Sequence, residues 1–271
     1  MRQCKGWVGR RTRATDKHRT TQTATDKHRK TRTTTENRRV LLWGSVVLPA
    51  VAACAIAFTT ASAQTKSAAT SGNWKTLFDG TSLNAWRGYK TDDVPEGWKI
   101  VDGTLYKETQ VADLVTKDEF GDFELSLEWK ISEGGNAGIF YRGTEEYEHI
   151  YWSGPEYQLL DNDKASDNTS RLTLAASAYA LYPPAADAKP KAAGEWNTTR
   201  IIAKGAHVEH WLNGTKAVAY ELWSPDWEAK VKASKFKDWP NYGRAKKGHI
   251  ALQGDHSGTL AFRNIRIREL S

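Results

Sequence analysis

Between Trp74 and Glu269 the chain alternates apolar and polar residues in short runs broken by turn residues. The run 123–131 shows this best. Phe123, Leu125, Leu127 and Trp129 fall on one side, and Glu124, Ser126, Glu128 and Lys130 on the other, the period-2 signature of a half-buried strand. The same reading predicts strands at 74–78, 98–101, 104–107, 114–116, 195–203, 206–212, 215–221, 248–253 and 259–269. Asp79-Gly80, Asp102-Gly103 and Asn213-Gly214 supply turns between them. One helix interrupts the pattern: Ser224 is a good N-cap, Pro225 suits the first helical position, and Trp227 and Val231 form one apolar side. Many short strands with a single short helix predict an all-β, two-sheet jelly-roll sandwich.

Two further strands, 138–142 and 155–160, flank a polar, aromatic loop and break the half-buried pattern. Alternation puts Phe140 and Arg142 on one face of the first, and Glu156, Gln158 and Leu160 on one face of the second. A carboxylate and an amide two residues apart on a core-facing row would each need a buried partner. The expectation is therefore a groove walled by two neighbouring strands, with Arg142 paired to Glu156 across them or binding a polar group of whatever the groove holds.

Charge divides the chain. Residues 1–39 hold 13 Lys/Arg against 3 Asp/Glu and carry a ten-residue polar repeat, ATDKHR at 14–19 and again at 24–29. This segment reads as a solvated tail or an overlong start. Residues 40–58 are apolar and precede Ala61-Ser62-Ala63, so Arg38-Arg39 onward has the layout of an export signal, with the mature chain starting at Gln64. A lipid-anchored Cys54 in Val51-Ala52-Ala53-Cys54, or an uncleaved anchor, are alternatives that also export the body. A Ser/Ala/Thr linker at 64–72 leads into the body. The remaining 26 Lys/Arg against 29 Asp/Glu leave no positive excess, which argues against nucleic-acid binding. Both cysteines, Cys4 and Cys54, precede the body, excluding from it a disulfide, a thiolate nucleophile or a cysteine zinc site.

Seven blocks then stand in order: WKTLFDGTSL (74–83), WKIVDGTLY (98–106), GNAGIFYR (135–142), GPEYQLLDN (154–162), GEWNTTR (194–200), VEHWLNG (208–214) and the segment 248–270. Together they resemble the 3-keto-disaccharide hydrolase domain family over residues 72–270. The resemblance implies a concanavalin-A-like jelly roll and an exported bacterial hydrolase or lyase acting on glycosides already oxidised at C3 by a partner oxidoreductase. It implies a divalent metal for some members and no organic cofactor. Relatives carry a histidine in the segment after Asn162, where this chain has Lys164 and Arg171, so a histidine role there is not expected.

A C3 ketone acidifies the C2 proton, so the chemistry needs a base, a group to hold the enolate oxygen and a donor for the leaving oxygen. Glu156 and His256, with Asp255 beside it in the Gly-flanked loop 253–258, are the candidate catalytic residues. Arg142, Gln158, Asp161, Gln253, Asn136 and His210 are candidate substrate contacts, although Val208 and Leu212 on the face of His210 equally suit an inter-sheet histidine. No His/His or His/Glu spacing marks a metal site. A non-catalytic carbohydrate-binding module is the rival reading: it would show a flat row of tryptophans, with Glu156, Gln158 and His256 scattered.

Overall fold

The computed structural model describes residues 73–271. The basic repeat at 1–39, the export signal at 40–63, the Cys54 anchor and the linker at 64–72 all lie outside them. The strands are β1 (Lys75–Phe78), β2 (Trp86–Gly88), β3 (Lys99–Val101), β4 (Thr104–Lys107), β5 (Leu114–Thr116), β6 (Phe123–Ile131) and β7 (Asn136–Gly143). They continue with β8 (Glu156–Leu160), β9 (Asn197–Lys204), β10 (His207–Leu212), β11 (Thr215–Glu221), β12 (His249–Leu252) and β13 (Leu260–Glu269). An eight-stranded sheet runs β11-β10-β9-β6-β13-β4-β3 with β1 also on β13, and a five-stranded sheet runs β2-β5-β12-β7-β8. All named pairings are antiparallel, giving the expected jelly-roll sandwich. β2 was not expected; three residues ending in glycine are too short to show a period.

The core lies between the sheets. Phe123, Leu125, Leu127, Trp129, Ile201, Val208 and Phe262 of the large sheet meet Leu114, Ile139, Tyr157, Leu159 and Leu252 of the small one, all buried. The large sheet's outer face is charged and internally paired: Glu124 accepts from Arg200 and Arg268, and Glu128 from Arg263. The small sheet is covered on its outer face too. Val115, Phe140, Ile150 and Ala251 form a second apolar cluster there, with Tyr151 packed on it. Residues 176–179 run beside the free edge of β8, with Ala176 N donating to Gln158 O at 2.8 Å and Tyr179 N to Glu156 O at 3.1 Å. Every residue of β8 is therefore buried.

Helix α1 (Pro225–Ala233) starts as its sequence dictates, with Ser224 Oγ accepting from Trp227 N at 3.2 Å. It is held by a series of near-parallel rings. Tyr182, Tyr220, Trp227, Tyr242 and Phe236 follow one another at centroid distances of 4.9, 5.4, 5.9 and 4.0 Å. Such contacts add to the burial of the rings themselves. The series ends at Phe236, on the border of the site described next.

Arg142 departs from the expected alternation. Three steps of β7, from Phe140 to Gly143, lie opposite two steps of β12, and Arg142 takes the left-handed backbone conformation at φ 52°. This bulge re-aims its side chain. Its guanidinium donates to Gly121 O at 2.9 Å, Gly205 O at 2.9 Å and Asp122 Oδ1 at 3.1 Å. Arg142 thus ties loops together and neither pairs with Glu156 nor lines the groove.

Candidate active site

Strands β7, β8 and the end of β12 lie side by side, joined beyond the ladder by Gln253 N donating to Gly138 O at 3.0 Å. Their outward positions bring together Asn136 from β7, Glu156 and Gln158 from β8, and Gln253. A cavity of about 430 Å³ opens over them, walled further by Asp255, His256, Asp167, Tyr179, Tyr151, Lys235 and Phe236. Gly138 makes room for the acid: a Cβ there would collide with the Glu156 carboxyl, so the glycine serves close approach rather than a special φ.

Glu156 is only 8% exposed. Burial pushes its carboxyl up from 4.5 to about 8; the Lys235 ammonium opposes the shift, and the charges of Asp167, Asp255 and Asp113 reinforce it. The neighbouring Gln158 amide turns its nitrogen toward Glu156, donating to Oε1 at 3.0 Å and to Ala137 O at 3.2 Å, with its oxygen toward Asn136.

Tyr179 Oη donates to Asp167 Oδ2 at 2.9 Å, and Lys235 sits over the Tyr179 ring at 4.2 Å. On the opposite wall His256 Nε2 lies 3.7 Å from Asp255 Oδ1, beyond hydrogen-bond range. The loop carrying them is anchored from beneath. Lys107, 1% exposed, donates to the carbonyls of His256 at 2.7 Å, Gly258 at 3.1 Å and Thr109 at 3.4 Å. Asp113 accepts from Gly254 N at 2.8 Å, and burial pushes its own carboxyl up to about 7. Two acceptors in the pocket, Gln253 Oε1 and Asp255 Oδ1, are buried with no hydrogen-bond partner among the described residues.

A family model described as the 3-keto-alpha-glucoside-1,2-lyase-like domain matches residues 73–268. The chain belongs to this family. A curated Bacteroides thetaiotaomicron relative named 3-keto-disaccharide hydrolase is 37% identical over 227 residues, covering 72% of this chain and 78% of its own. Two solved structures of Parabacteroides distasonis proteins classed as glycosyl hydrolases are similar. One has 31% identity and a TM-score of 0.69, covering 74% of this chain and 94% of that one. The other has 28% identity and a TM-score of 0.57, covering 73% of this chain and 100% of that one.

In this member of the lyase-like family, six expected residues converge on the pocket: Glu156, Gln158, Asn136, Gln253, Asp255 and His256. Three do not, Arg142 among them. His210 is fully buried between the sheets, its Nε2 3.0 Å from Tyr141 Oη and its Nδ1 3.1 Å from Ala176 O, and burial lowers it to about 4. Asp161 accepts from Gly134 N at 2.8 Å and Asp163 N at 3.1 Å, closing the turn after β8. Asp167, Tyr179, Lys235, Phe236 and Tyr151 were missed. They arrive on loops and two 3-10 turns whose polar residues look, in sequence, like any solvated connection.

Proposed function

We propose that this chain is a glycoside-cleaving enzyme acting on 3-keto-glycosides, with Glu156 as the base that takes the C2 proton. The observation that carries this reading is a buried carboxyl pushed up to about 8, hydrogen-bonded by the Gln158 amide, in a pocket that also gathers His256. A pocket of that kind also favours the enzyme over a binding module, which needs no tuned acid. The family and the name of its Bacteroides relative point the same way.

In this scheme the electrons of the C2–H bond flow toward the C3 ketone as Glu156 accepts the proton. The resulting enolate expels the C1 oxygen, which takes a proton from His256. Elimination leaves an enone, and addition of water to it makes the net reaction a hydrolysis. Lys235, whose ammonium favours ionised Glu156, also offers a positive charge to the developing oxyanion. Asn136 and Gln158 orient ring hydroxyls.

Among the described residues no three His, Cys, Asp or Glu side chains converge into a metal cluster. The oxygens that suit a hard divalent cation are those of Gln253 and Asp255, buried and without partners. Those residues would hold the ion, which when bound would act as a Lewis acid on a carbonyl oxygen. Export from the cell and supply of substrate by an oxidoreductase that forms the C3 ketone complete the proposal.

The test is release of a chromogenic leaving group from a 3-keto-glucoside by the purified protein, with and without chelator. Release that disappears in Glu156→Ala supports the reading, and loss with chelator, restored by a divalent ion, supports the metal. Absence of release, with binding of an unoxidised oligosaccharide, would replace the enzyme by a binding module.

A further inference from the structure

The pocket does not end at its polar walls. Tyr151 and Phe236, which line it, both pack against Trp239, at 5.8 and 5.2 Å between ring centroids. Trp239 in turn lies 5.9 Å from Trp152, with the two rings inclined by 29°. His149 stacks on Tyr151 at 4.8 Å and 10°, and Tyr147 flanks Trp152 at 6.1 Å. None of Tyr147, His149, Tyr151, Trp152 and Trp239 is fully buried. This separates them from Trp227, Tyr220 and Tyr242, whose stacked rings are core. Among the described residues the Trp239 indole N–H has no hydrogen-bond partner, while the Trp152 indole is within reach of the Tyr151 hydroxyl. A half-exposed tryptophan with a free N–H offers both a ring face and a donor.

We infer that Trp152 and Trp239, with His149, form a leaving-group subsite that stacks on a ring attached at C1 of the substrate. This rests on the proposed 3-keto-glycoside reaction. The direction follows from the charges. Asp167, Lys235 and the amides crowd the polar part of the pocket, where a keto sugar rich in oxygen finds partners. The aromatic ledge continues from the pocket through Tyr151 and Phe236, so the part of the substrate that reaches it presents a ring face. The shared chemistry is an apolar ring face, which an aromatic aglycone and the C–H side of a second pyranose both supply.

The experiment compares three 3-keto-glucosides with the full chain: one with a methyl, one with an aryl and one with a glucosyl leaving group. Trp152→Ala and Trp239→Ala are expected to lower the ring-to-methyl ratio of kcat/KM by about tenfold, the scale of one aromatic contact. Trp152→Phe and Trp239→Phe, which keep a ring, should recover most of that ratio and guard against misfolding. Loss with the aryl substrate alone assigns the subsite to aromatic aglycones; loss with the glucosyl substrate alone assigns it to disaccharides. A ratio unmoved by either alanine variant overturns the subsite while leaving the reaction standing. Failure of the unaltered protein to cleave any of the three overturns the reaction and the subsite together.

Discussion

At the scale of single residues, Glu156 sets function against stability. Its carboxyl is held near 8, so the folded protein keeps a proton that the unfolded chain releases near 4.5. Stability from this group is present below the unfolded value and is lost as pH rises through about 8. Glu156→Gln keeps the shape and the hydrogen bonds but cannot ionise. Thermal melts should therefore show the variant more stable than the parent at pH 9, by about 5 °C, with the gap closing near pH 5. The same substitution should lower turnover of a 3-keto-glucoside by about 100-fold or more, the scale of a lost general base. In the unaltered protein kcat/KM should climb with pH through about 8 as the base is freed. Gly138→Ala tests the room left for the acid: a methyl there meets the carboxyl, so activity should fall by roughly tenfold or more with the sheet intact by circular dichroism. Sequence made Glu156 and Gln158 legible, because a carboxylate and an amide on one strand face needed an explanation. It misplaced Arg142, because alternation extrapolates a regular strand and a left-handed residue ends that regularity.

At the scale of elements, the loop 254–258 and the turn at 235–238 bring the outlying site residues into place. Lys107 on β4 grips the first through the carbonyls of His256 and Gly258. Lys107→Met should leave those carbonyls unpaired, expose the loop to limited proteolysis and reduce kcat more than KM, by about tenfold. The second turn is fastened by the ring series through Trp227. Trp227→Ala opens a large cavity there and should cost about 3–5 kcal/mol in denaturant melts. The helix was legible from Ser224 and Pro225, and the strands from their alternation. Neither indicated that Lys235 and Phe236, just beyond the helix, would reach β8; that depends on how the helix packs.

At the scale of the whole molecule, burial between the sheets decides the acid side of stability. His210 is held neutral to about 4, against 6.5 when exposed, so the unfolded chain takes up a proton that the folded one refuses. Its contribution is present above 6.5 and lost as pH falls toward 4. His210→Gln should flatten the slope of stability between pH 6.5 and 4, whatever it does to the absolute level, in a pH series of urea melts. By itself the sequence determined the sandwich, its turns, the neutral balance of the body and the strand pair bearing the acid. Those are local properties, written in periodicity, turn residues and charge. Which polar groups meet was decided only by the tertiary structure. Asp167 and Tyr179 reach Gln158 and Glu156 because a loop runs beside the free edge of β8, and Lys107 meets His256 because a strand of one sheet passes beneath a loop from the other. Burial, which raises Glu156 and lowers His210, is a property of the assembled sandwich and has no counterpart in the order of residues along the chain.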